Sequence, residues 1–274
     1  MNENKTNSIG VMYFSPTKTT AKICKAIASG MGENVPAELN ITKPDFRKKL
    51  ISNPEALLNG IDHLIVGAPV YTGKLPQQVI ESLNVMVGEG KECTIVVVYG
   101  NRDYGVAFRN MAEILIRRGF KITAAGAFIG QHSYSDVIPV AMGRPDITDL
   151  EKAKIFGADS LITSSYLVPE DIPVQLDMFS KSKKHYPLKP LFKPEKCTQC
   201  GICSETCPVG IISPETGDYV NKKAKNLCIG CMACVRNCKN EARIAKPDFI
   251  MKLMMKQILK KASVQRLEPL LIFP

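Results

Sequence analysis

The sequence predicts an α/β fold: a doubly wound sheet of five parallel strands, followed by a smaller cysteine-rich unit. Three observations predict it. Short apolar runs alternate with amphipathic stretches through residues 9–166. The alternation stops after Tyr166, in a stretch rich in Pro and Lys. Eight of the ten cysteines then fall between Cys197 and Cys238, in two runs of identical spacing.

Ile9–Phe14 is an unbroken apolar run, short enough for a strand buried on both faces. Thr19–Met31 follows it, with Ile23, Ala26, Ile27 and Met31 on one helical face. Glu38–Thr42 is a weaker strand candidate. His63–Val66, Thr94–Tyr99 and Thr123–Phe128 repeat the first apolar pattern, and Pro76–Val87, Gly105–Arg118 and Thr148–Tyr166 carry helical periodicity. Strands and helices in strict alternation make βαβ units, and hence a parallel sheet. The expected domains are therefore residues 1–166 for the sheet, 167–190 for a linker, 191–247 for the cysteine-rich unit and 248–274 for a helical tail. In the tail Phe249, Ile250, Leu253, Met254 and Leu259 recur at helical spacing among Lys252, Lys256, Lys260 and Lys261. Packing of this helix on its own protein is the expectation, with a place on a membrane surface as the alternative.

The cysteine runs are Cys197-x2-Cys200-x2-Cys203-x3-Cys207 and Cys228-x2-Cys231-x2-Cys234-x3-Cys238. They belong to an internal repeat at an offset of 31 residues, with halves Cys197–Ile211 and Cys228–Ala242. A tight C-x2-C-x2-C loop wraps three thiolates round one iron–sulfur cubane, whereas zinc sites use paired CxxC units. Gly201, Gly230 and Ala233 are small enough for backbone to pass close to an inorganic core. The segment closely resembles the bacterial-type two-cluster ferredoxins. That resemblance implies two [4Fe–4S] clusters with a crossed ligand set, since the fourth cysteine of each run serves the other cluster. One cluster takes Cys197, Cys200, Cys203 and Cys238; the other takes Cys228, Cys231, Cys234 and Cys207. Pro208 keeps the family's proline after the fourth cysteine, whereas Lys239 replaces it in the second run. A cation there favours a reduced, more negative cluster, so the Cys197 cluster is expected at the higher potential.

The chain's formal net charge of +10 is uneven. Residues 1–165 hold 18 Lys+Arg against 16 Asp+Glu, while residues 166–274 hold 18 against 10. Eight thiolates on two cluster cores would offset much of the second excess. No aromatic–basic interleaving marks a nucleic-acid surface, and none is expected. No apolar run approaches the ~20 residues of a membrane span. The first ten residues, MNENKTNSIG, lack the basic start and apolar core of an export signal, giving the expectation of a cytoplasmic protein.

A cofactor site is expected where loops leave the carboxyl ends of parallel strands. The first such loop, Ser15-Pro16-Thr17-Lys18-Thr19-Thr20, opens a helix and offers hydroxyls and backbone N–H groups to an anion. It has neither the glycines of a dinucleotide fingerprint nor a Walker loop, so a monophosphate fits better. The second loop carries Pro69, Val70, Tyr71, Thr72 and Gly73; the third carries Tyr99, Gly100, Asn101, Arg102, Tyr104 and Gly105. Together the three loops resemble the phosphate loop and ring-clasping loops of flavodoxin-like proteins, which implies FMN. Tyr71 or Tyr104 would stack on the ring and Arg102 would favour its reduced anion, while Lys18 stands where that family has glycine. His132 is a candidate proton donor at the flavin edge. His63, His185, Cys24 and Cys93 read as structural or solvated.

The combined order resembles flavodoxin–ferredoxin fusions of anaerobic bacteria and archaea. It implies an electron-transfer protein that exchanges electrons between clusters and FMN and meets redox protein partners. A flavin enzyme reducing a quinone-like acceptor, or a redox-sensing binding module, are the alternatives. The sequence is compatible with a homo-oligomer.

Overall fold

A computed structural model describes residues 8–32, 37–175 and 188–274; His185 lies outside them. In chain order the main elements are β1 (Ile9–Tyr13), α1 (Thr19–Met31), β2 (Ala37–Asn40), α2 (Pro44–Ser52), α3 (Pro54–Leu58), β3 (His63–Pro69), α4 (Gln77–Val85), β4 (Glu92–Tyr99), α5 (Ala107–Arg117), β5 (Lys121–Ile129) and α6 (Ile147–Asp159). The second half adds β6 (Leu191–Phe192), α7 (Ile202–Glu205), α8 (Ala233–Arg236), β7 (Arg243–Ile244), α9 (Phe249–Val264) and β8 (Leu270–Ile272).

Five strands pair in parallel in the order β2-β1-β3-β4-β5, the flavodoxin-like order of a doubly wound sheet. A sixth strand, β8, adds to β5 antiparallel, with Ala125 opposite Ile272. The chain end therefore returns to the edge of the first domain's sheet. Three residues were too few to stand out as a strand in the sequence.

The sheet separates two cores. Met12, Leu64, Val66, Ile95 and Val97 face α4 and α5, which bury Val79, Leu83, Phe108 and Met111. Val11, Ile65, Val96 and Phe128 point the other way, onto Ile23 and Ile27 of α1 and Phe156 of α6. The alternation is the two-residue period of a strand buried on both faces. A β-carbon on Gly157 would stand 2.1 Å from the Ile27 carbonyl, so glycine is what lets α6 close on α1.

Four helices depart from expectation. The short helices α2 and α3 begin at Pro44 and Pro54, where proline is pre-set for the first helical turn rather than a break. Helix α6 ends at Asp159 rather than near Tyr166, because Ser160 Oγ donates to the Gly157 carbonyl and the chain then turns to bond Leu167 N–H to Ile122. Helix α9 forms, yet its buried residues are Met255, Leu259 and Ala262, packed on Ile138, Val140, Leu188 and Met232. Phe249, Ile250, Leu253 and Met254 face outward. Among the described residues no helix is long and apolar enough to cross a membrane.

The repeat is visible in the backbone. Helices α7 and α8 lie 31 residues apart, each one turn long. Gln199, Gly201 and Gly210 have positive φ, and so do Gly230, Met232 and Glu241, their partners at the same offset. Non-glycine residues adopt that conformation at a cost of roughly 1–2 kcal/mol, which the surrounding structure must offset.

Candidate functional site

The carboxyl ends of β1, β3, β4 and β5 surround a cavity of about 310 Å³. Thr17 and Thr19 line it from the start of α1. Pro69, Val70, Tyr71, Thr72 and Gly73 enter from the loop after β3, and Tyr99, Gly100 and Arg102 from the loop after β4. His132 and Tyr134 come from the loop after β5. All three expected loops thus meet at one site.

The first loop is held from within. Ser15 Oγ accepts from Ala21 N–H at 3.0 Å, Ser15 N–H donates to Thr42 Oγ1 at 2.7 Å, and Lys18 N–H to the Ser15 carbonyl at 3.2 Å. Lys18 sits in the left-handed region at φ 66°, so the turn keeps the shape a glycine would give. Thr20 is fully buried and its Oγ1 has no hydrogen-bond partner among the described residues. A helix start with Thr17 and Thr19 on the cavity, and an unpaired hydroxyl behind them, fits a phosphate.

Six residues of the expected set do not line the cavity. Ser15, Lys18 and Thr20 shape the loop rather than its face. Tyr104 is buried in the core, edge-on to Tyr99 and Phe108, because its side chain turns inward from the loop. Gly105 packs on Gly73, where a β-carbon would stand 2.3 Å from the Gly73 carbonyl. Asn101 is committed to the tail: its amide donates to the Ala262 and Gln265 carbonyls and its oxygen accepts from Leu267 N–H at 3.1 Å.

His132 accepts at Nδ1 from Tyr134 N–H at 3.1 Å, so its proton sits on Nε2. Burial, with Arg102 and Arg236 nearby, pushes its pKa down to about 4 and keeps the ring neutral. Gly100 is required by this ring, since a β-carbon there would meet His132 Cδ2 at 2.4 Å. Arg102 pairs with Asp103 at 3.1 Å beside the cavity.

The sequence did not announce the rest of the wall. Met255, Ile258 and Leu259 of α9 cover it, and Ile229 and Gly230 reach it from the cysteine-rich unit. These two residues lie between Cys228 and Cys231.

The eight cysteines gather as two sets. Cys197, Cys200, Cys203 and Cys238 line one cavity of about 230 Å³, together with Lys239 and Arg243. Cys207, Cys228, Cys231 and Cys234 line a tighter one of about 20 Å³, with Ile229 and Tyr219. The fourth cysteine of each run therefore faces the other run's cavity. Backbone N–H groups point at sulfur, from Gln199 to Cys197 at 3.4 Å and from Ala242 to Cys238 at 3.2 Å. Burial pushes Cys231 up to about 12 and raises Cys203, Cys228 and Cys234, so these thiols favour the neutral form until a metal takes the proton's place. Four thiols, N–H···S donors and a buried cation at the first wall suit an iron–sulfur core with four thiolates. By contrast Cys24 and Cys93 are buried in the sheet domain, Cys24 raised to about 12 and Cys93 raised further by the same desolvation. His63 is buried and bonded through Nε2 to Thr94 at 2.8 Å.

Comparison with known proteins finds similarity to each half. Residues 196–243 match the family model of the 4Fe-4S dicluster domain. A protein named as a diflavin flavoprotein in Thermosynechococcus vestitus is 26% identical over 151 residues, 54% of this chain and 23% of that protein. An uncharacterized ferredoxin of Methanocaldococcus jannaschii is 27% identical over 79 residues, 26% of this chain and 48% of the relative. The chain thus spans under a quarter and about half of the lengths of these curated relatives. The solved structure of a flavodoxin from the domain Archaea superposes with a TM-score of 0.36 at 18% identity, over 56% of this chain and 95% of that one.

Proposed function

We propose that this chain, a flavodoxin-like sheet fused to a 4Fe-4S dicluster domain, passes electrons between two [4Fe–4S] clusters and FMN. Cys197, Cys200, Cys203 and Cys238 hold one cluster; Cys228, Cys231, Cys234 and Cys207 hold the other. FMN takes the large cavity, its phosphate at Thr17 and Thr19 and its ring between Tyr71 and the His132 loop. The chain divides into a sheet domain at 1–166, a linker at 167–190, a cluster unit at 191–247 and a tail at 248–274 whose β8 joins the sheet, and it meets redox partner proteins of the cytoplasm.

One observation carries this reading: Ile229 lines both the Cys228 cavity and the flavin cavity, so one side chain is the wall between them. Clusters exchange single electrons and a flavin one or two, so the pair converts between the two currencies. The chain's own residues keep the two centres in register. Arg236, inside the second cysteine run, donates to the His132 carbonyl at 2.7 Å and pairs with Asp136 at 3.2 Å. Arg47 donates to the Pro208 carbonyl at 2.6 Å and to Ile41 and Thr42 beside the phosphate loop. Helix α9 excludes water from the cavity's outer side, and neutral His132 offers its Nε2 proton there.

The test is anaerobic reconstitution with iron, sulfide and FMN, each then quantified, followed by rapid reduction. The expected result is two clusters and one flavin per chain, with flavin bleaching after the clusters at a rate independent of protein concentration. A rate proportional to concentration, or a protein that binds no flavin, would overturn it.

A further inference from the structure

Arg243 is among the largest fully buried side chains of the molecule, at 1% exposure, and nothing in its sequence context marks it. Its guanidinium lies 4.7 Å from the Tyr219 ring and 5.0 Å from the Phe192 ring, a cation held between two aromatic faces. Phe192 lines the Cys197 cavity and Tyr219 the Cys228 cavity, so the charge stands between the two. Nε donates to the Gly217 carbonyl at 3.1 Å, and Nη2 shares that acceptor. Nη1 is buried with no partner among the described residues. Its ion-pair partner among the described residues is Asp218, 3.8 Å away and half exposed. A buried charge so weakly matched is costly unless an anion lies beside it.

We propose that Arg243 is a positioning residue for the cluster charges: it compensates the net negative cores and holds the cluster of the Cys197 cavity, whose wall it forms, at the higher potential of the two. This rests on the reading that clusters fill the two cysteine cavities. Lys239, also on that wall, is exposed and screened by water and salt, so it contributes little beside a desolvated guanidinium. An electron in the singly reduced molecule therefore rests at the cluster beside exposed Cys200, away from the flavin and ready for a partner.

The experiment is an EPR-monitored redox titration of the reconstituted chain at low ionic strength, with iron and sulfide counted in every sample. Arg243→Gln should shift the higher potential downward, Arg243→Lys should restore most of it, and Lys239→Met should leave it unmoved. Asp218→Asn removes the counter-charge from an exposed site and should shift the same potential upward, which keeps the test decisive if Arg243→Gln does not fold. Arg243→Gln and Asp218→Asn with full clusters and unmoved potentials would overturn the role of Arg243. A wild-type chain that takes up no iron and sulfide would instead overturn the cluster reading on which it stands.

Discussion

At Lys18 a side chain with a β-carbon occupies a backbone conformation that suits glycine. Replacing it should relieve left-handed strain, partly offset by the greater freedom of glycine in the unfolded chain. Lys18→Gly is therefore expected to gain roughly 0.5–1 kcal/mol in chemical denaturation. The same variant should bind FMN about as tightly as the parent in a fluorescence titration, because Lys18 shapes the loop and does not line the cavity. His132 gives a pH signature. Its folded pKa, about 4, lies below the ordinary value of 6.5, so the unfolded chain binds more protons between those limits. The neutral ring's contribution is full above pH 6.5 and is lost as pH falls toward 4. Denaturation midpoints should drop through that window, and His132→Gln should flatten the drop.

Among the elements, α9 and β8 turn a tail into a lid. Asn101 at the end of β4 holds the turn after α9 by three hydrogen bonds, and Arg144 adds one to the Leu267 carbonyl at 2.8 Å. Arg144 is itself paired with buried Asp149 of α6. Asn101→Ala should leave buried backbone groups unpaired and cost at least about 2 kcal/mol. The more telling readout is the flavin: loosened α9 should let iodide quench its fluorescence faster than in the parent protein. Unchanged quenching would mean that Met255, Ile258 and Leu259 do not shield the ring.

For the molecule as a whole, the crossed cysteines bind the halves of the repeat into one unit. Cys238→Ala should remove the cluster shared with Cys197, Cys200 and Cys203, halving the iron and sulfide, while the cluster beside the flavin keeps its EPR signal. An uncrossed arrangement would lose the other cluster, the one nearest FMN, and with it rapid flavin reduction. Arg47 reaches the Pro208 carbonyl beside the first cysteine run, and Arg236, inside the second run, reaches the His132 carbonyl of the sheet domain. Arg236→Ala should thus slow cluster-to-flavin transfer without changing cluster content, as stopped-flow reduction would show.

Local pattern alone determined much of this protein. The apolar runs fixed four of the five parallel strands, because a strand buried on both faces is written as consecutive apolar residues; β2, only partly buried, showed as a weaker candidate. Cysteine spacing fixed the paired sites, because a loop of fixed length can reach only so far round a metal core. The three loops after the strands followed from the rule that ligands bind at carboxyl ends. Tertiary structure decided what depends on distant residues meeting. Tyr104 and Asn101 sit in a loop that reads as ligand-binding, yet one turns into the core and the other grips a tail more than 160 residues away. Helix α9 presents Met255 and Leu259 rather than its first apolar residues, because the anchored end sets its rotation. Arg243 has no motif at all. Its meaning comes only from the two aromatic rings and two cysteine cavities that folding brings around it, since burial and field strength are properties of the packed molecule and not of the chain.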